Sequence, residues 1–83
     1  MDTTEHILNR LTSSINECSA TLANPKATKA DLINANDKVL GMVSTCNATL
    51  GQFTEEQRKD YASLYDKATT ICQRTRRFAM LLK

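Results

Sequence analysis

Apolar residues recur along this chain at helical spacing in three blocks, and each block opens on a side chain suited to cap a helix. In the first block the stripe is Ile7, Leu11, Ile15, Cys18 and Leu22, with Leu8 on its flank. Intervals of three and four residues keep such a stripe on one face of a helix, turned towards a partner. Asp2 can accept from the free N–H groups of the first turn while Glu5 reaches back in a capping box. Asn24-Pro25 ends the block, because the residue before proline is pushed out of the α region. A helix over about 3–24 is the expectation.

The second block starts at Thr28, with Asp31 placed to favour the positive end of the helix dipole. Leu32, Ala35, Val39, Val43, Cys46 and Leu50 form its stripe, flanked by Ile33, Leu40 and Met42. Gly41 in its middle costs about 1 kcal/mol of helix propensity relative to alanine, so it suggests a close approach between helices. Gly51 suits a left-handed C-terminal cap, which gives a helix over 29–51.

The third start is the clearest. Thr54-Glu55-Glu56-Gln57 supplies a capping hydroxyl, two acids in the first turn and a glutamine that returns to the cap N–H. Tyr61, Leu64, Ala68, Ile71, Thr75, Phe78 and Leu82 lie on one line, with Tyr65, Cys72 and Ala79 beside it. A helix over 55–82 with so wide an apolar face can contact two neighbours at once. Short connections cannot carry the chain back along a bundle, so consecutive helices must be antiparallel neighbours. The pattern therefore predicts an all-α fold: one domain over 1–83, an antiparallel up-down-up three-helix bundle. A long helical hairpin that completes its core by dimerising is the alternative.

Composition adds exclusions. At 83 residues the chain holds one domain, near the size at which a hydrophobic core alone offsets chain entropy. Hydrophobic residues are 41% and charged ones 24%, ordinary for a globular domain. The formal charge of +2 is small for a nucleic-acid binder, but it is unevenly spread. Residues 1–40 carry five acids against four bases, whereas 41–83 carry four against seven, ending in Arg74, Arg76, Arg77 and Lys83. No apolar run approaches the roughly 18 residues that span a bilayer. The start MDTTEHILNR lacks the basic and apolar regions of a signal peptide, which makes a cytoplasmic or nuclear location the expectation.

Little of the sequence suggests chemistry. Cys18, Cys46 and Cys72 are odd in number and widely spaced, as expected of reduced thiols packed as small apolar residues. They lack the paired spacing of a zinc site, and at about 1.5 Å per residue Cys46 falls roughly 15 Å below the other two. His6, the single histidine, sits in the first turn without an orienting partner in view. Glu55, Glu56, Asp60 and Asp66 are accounted for by capping and solvation, and the sequon Asn47-Ala48-Thr49 falls on a predicted helix. Neither an enzyme nor a cofactor or metal site is expected.

The run from Arg74 to Lys83 has more functional content. If the first two helices span roughly 22 residues and the third about 29, the last two turns extend about 10 Å past the bundle. Phe78, Met80, Leu81 and Leu82 would then lack partners, rimmed by arginines as in a protein-binding patch. Arg74, Arg76, Arg77, Phe78, Leu81 and Leu82 are thus the candidate partner-binding residues of a non-enzymatic interaction module, an adaptor or complex subunit. The partner would be another protein's helix or peptide, or a second copy of this chain. Two other readings are a small assembly or secretion chaperone for an aggregation-prone client, and an accessory factor that meets nucleic acid or an anionic membrane through the basic turn. The plainest alternative is that Phe78 and Leu82 cap the core while the basic residues offset the negative end of the helix dipole.

Overall fold

The computed structural model describes residues 3–82. They form three α-helices, α1 (Thr3–Ala23), α2 (Lys29–Ala48) and α3 (Glu55–Leu81), each packed on the other two. Two cross-bundle bonds fix their directions. Thr4 Oγ1 donates to Gln57 Oε1 (3.1 Å) near one end, and Cys18 Sγ lies 3.3 Å from Thr75 Oγ1 further along, so α1 and α3 run parallel. The Tyr61 hydroxyl reaches back to the last turns of α2, donating to Asn47 Oδ1 and, at 3.5 Å, to the Val43 carbonyl. Hence α2 runs against both, and the bundle is up-down-up.

Local chemistry explains most boundaries. The cap expected at Asp2 lies outside the described residues. After α1, the Asn24 carboxamide accepts from the Lys26 N–H (3.0 Å) and its carbonyl from the Ala27 N–H, closing the turn around Pro25. Thr28 then caps α2 in a full capping box: Asp31 N–H donates to the Thr28 hydroxyl (3.1 Å) and the Asp31 carboxylate accepts from Thr28 N–H (3.0 Å). Thr54 and Gln57 repeat the arrangement at the start of α3.

Where α2 ends, the structure departs from the sequence pattern. The helix stops at Ala48 instead of running to 51, and a single 3-10 turn (Leu50–Gln52) follows. Here the Thr49 N–H is shared between the Thr45 and Cys46 carbonyls (both 3.2 Å), and its hydroxyl adds bonds to the same two at 3.0 and 3.3 Å, as the helix tightens into the 3-10 turn. Gly51 lies within that turn without a positive φ, so it is not the left-handed cap its position suggested. Leu50 is 37% exposed, and Phe53, just beyond the turn, is the buried residue at this end. Its ring meets Tyr61 edge to face at 6.0 Å. Gly41 likewise marks no close approach: it is exposed, with no atom within 4 Å of where a Cβ would stand.

Leu8, Leu11, Ile15 and Cys18 of α1 meet Ala35, Val39 and Cys46 of α2 and Tyr61, Ala68, Ile71 and Cys72 of α3 in one core. Leu11, Cys18, Val39 and Cys46 are sealed completely. The Thr75 hydroxyl donates to the Ile71 carbonyl (2.7 Å), so its contact with Cys18 uses the thiol as donor. Among the described residues, no helix is long and apolar enough to cross a membrane.

One expectation about α3 needs correcting. Its last two turns do not project beyond the bundle, because the 57-residue offset of the Cys18–Thr75 pair sets Met80 level with Ala23, the end of α1. Lys29, the start of α2, lines the same groove as Met80, and Ala79 is buried. Exposed residues near the end of α3 are exposed by the direction they face.

Candidate protein-binding groove

Seven large apolar side chains are exposed among the described residues, and four of them, Ile33, Leu40, Tyr65 and Met80, line a single groove between α2 and α3. Two adjoining hollows make it up, of about 310 and 270 Å³, and they share Leu40 and Arg76. Ile33 and Leu40 stand one heptad apart on the α2 bank. Tyr65 and Met80 stand on the α3 bank, with Ala68, Cys72, Thr75 and Ala79 along the floor.

Those four floor residues explain why the groove is open. Each is small, so the α3 face that meets α2 cannot fill the space between the helices, and the larger flanking side chains are left standing on the banks. From Tyr65 to Met80 the groove is ~22 Å long at the usual rise of a helix.

Polar groups are few and mostly donors. Lys29 and Arg76 line the larger, upper hollow, which lies towards Met80, with Asp37 as its one acid. Asn36 lies between them and is 9% exposed; its Oδ1 is sealed from solvent and bonds no other described residue. The Nδ2 of the same carboxamide has no bonding partner among the described residues either, but it is not sealed, so Asn36 brings an uncommitted hydrogen-bond donor to the groove it lines. Burial raises the Cys72 thiol above its ordinary value of 9.0, with Cys18 adding to the rise and Arg76 opposing it. Near neutral pH, Cys72 is therefore a protonated, weakly polar part of the floor.

The six residues singled out from the sequence do not converge. Arg76 belongs to the groove. Phe78 lies one heptad above Ile71 and Leu82 one heptad above Thr75, on the side that faces α1; Leu82 is half-buried and Phe78 exposed. Arg74 and Leu81, one heptad apart, point outward with Arg77 beside them, and Leu81 is 79% exposed. Nor do the arginines offset the helix dipole, since the final turn of α3 carries no basic residue and the effect fades beyond that turn.

Other hollows differ in character. The one between α1 and α3 is edged by Glu5, Glu56 and Asp60 and those beside α1 and α2 by Glu17 and Lys38, without an exposed large apolar side chain on either. Among the described residues, no three His, Cys, Asp or Glu side chains gather as metal ligands, and His6 is exposed. Compared with family models, curated proteins and solved structures, the chain matches none of them.

Proposed function

We propose that this chain is a non-enzymatic interaction module that binds an amphipathic helix of another protein along the α2·α3 groove. The observation that carries this reading is the placement of Ile33, Leu40, Tyr65 and Met80 on both banks of one groove. Apolar side chains exposed together are the usual mark of a binding surface, whereas single ones are ordinary. A length of ~22 Å takes about four helical turns, enough for inward residues at i, i+4, i+7 and i+11. The bound helix would be the fourth of a bundle, burying Leu40 and Met80 as the core buries Leu11.

A library of amphipathic helices displayed on phage and selected against the 83-residue chain tests this. Selected peptides are expected to shift amide resonances of α2 and α3 around Leu40 and Ala68. Their affinity should fall at least tenfold with Leu40→Glu and stay unchanged with Leu81→Ala. Peptides that bind Leu40→Glu as well as they bind the parent chain would place the surface elsewhere.

A further inference from the structure

Resting on that reading, we infer that the helix bound in the α2·α3 groove is acidic along its edges and sets an acidic or other hydrogen-bond-accepting side chain over Asn36. Two observations bear on the partner's chemistry. First, the upper hollow offers Lys29, Arg76 and the Asn36 carboxamide against the lone acid Asp37, so what it presents to a ligand is mainly donors and positive charge. A second copy of this chain would bring the same cations to the same place. A helix with glutamates or aspartates at its edges complements them.

Second, Asn36 is nine-tenths buried, yet its Oδ1 meets no donor and its Nδ2 meets no acceptor among the described residues. In the free bundle this carboxamide forms no bond with another described residue. Once a helix lies over the groove, Nδ2 is cut off from water as well. A partner that supplies an acceptor there is then favoured over one that supplies a methyl group, because the second leaves the donor unpaired in a dry site.

Four synthetic helices of 18 residues, each with leucine at the inward positions, separate the possibilities. One carries glutamate at the edges and a central inward glutamine, one lysine at the edges with the same glutamine, one glutamate edges with leucine at the centre, and the last a scrambled order. Each is titrated into the isotope-labelled full chain and followed by amide shifts. The first is expected to bind best, about tenfold or more tighter than the leucine-centred helix, as a charge-independent hydrogen bond in a buried site would give. In Asn36→Leu that preference should vanish or reverse.

Preference for glutamate edges should drop in the Lys29→Gln/Arg76→Gln double variant and persist in Arg74→Gln/Arg77→Gln, which removes the same charge outside the groove. Equal binding of the first three helices at the groove would overturn the acidic-partner inference and leave the groove as the binding surface. Shifts outside the groove, or none from any helix, would overturn both. Concentration-dependent shifts of the groove residues in the chain alone would assign the groove to a second copy and likewise overturn the inference.

Discussion

Replacing Asn36 by leucine should make the free protein more stable, an uncommon outcome for a change at a buried position. Asparagine and leucine share the same number and branching of side-chain heavy atoms, so Asn36→Leu alters polarity more than shape. An unpaired polar atom in a dry site costs about 1–3 kcal/mol, and the Asn36 Oδ1 is such an atom. Leucine also has the higher helix propensity, by up to about 0.5 kcal/mol within α2. Against this, leucine is somewhat bulkier, and crowding recovers part of the gain even beside an open groove. A net rise of about 1–2 kcal/mol is expected, which for a domain of this size is ~5–15 °C in Tm. Thermal and urea unfolding followed by circular dichroism at 222 nm would measure it, with Asn16→Leu on the exposed face of α1 as the control for propensity alone. If Tm fell in Asn36→Leu while Asn16→Leu held steady, Asn36 would be making a bond that stabilises the bundle, and the argument from its unpaired oxygen would collapse.

Three further outcomes follow from the same structure. Gly41→Ala should stabilise by about 0.5–1 kcal/mol, because the position is helical and exposed with open space around it; a loss of stability would mean that a neighbour does approach there. Thr28→Ala and Thr54→Ala should each cost about 0.5–2 kcal/mol in urea unfolding, and their effects should add, since the two capping boxes lie at opposite ends of the bundle. Burial raises the thiols of Cys46 and Cys72 above 9.0 and the phenol of Tyr61 above 10.0, so the folded chain holds these protons to higher pH than the unfolded one. These groups contribute stability in full below about pH 9 and lose it as pH rises through the folded values. The urea midpoint should therefore decline between pH 9 and 11, less steeply in Tyr61→Phe, and a level midpoint across that range would contradict the shifts.

Capping and periodicity carried most of the fold into the sequence, because both are local. Thr54 and Gln57 are three residues apart, and each needs only the other to be read. Phe53 shows where that ends: it belongs to no helical stripe, and it is buried only because the turn after Ala48 folds it back on Tyr61. Gly51 misled for a related reason, as the chain leaves the α-helix at Ala48 and tightens into a 3-10 turn that holds Gly51 with an ordinary φ. The candidate groove was partly written in Ile33, Leu40, Tyr65 and Cys72, which lie beside the main stripes at heptad spacing. What the pattern of one helix cannot show is that two such flanks face each other across a floor of small residues. Asn36 stands four residues after Leu32 and three before Val39, so the pattern sets it on the apolar face, but a single polar residue there says nothing of whether it finds a partner.

The end of α3 separates an exposed apolar residue from an apolar surface. Phe78, Met80 and Leu81 stand within four positions of one another, yet at about 100° per residue Met80 leaves the helix well away from Phe78 and Leu81, which lie about 60° apart. A partner that covered Met80 would leave Leu81 in water, and each alone buries too little to hold a helix. Leu40 and Met80 are far apart in sequence but stand on facing banks, where one bound side chain can touch both and the small residues beneath let it sink between them. The affinity available therefore depends on what α2 and α3 jointly fail to fill. That is why Ala68, Cys72 and Ala79, which supply little contact area themselves, determine where the proposed groove lies.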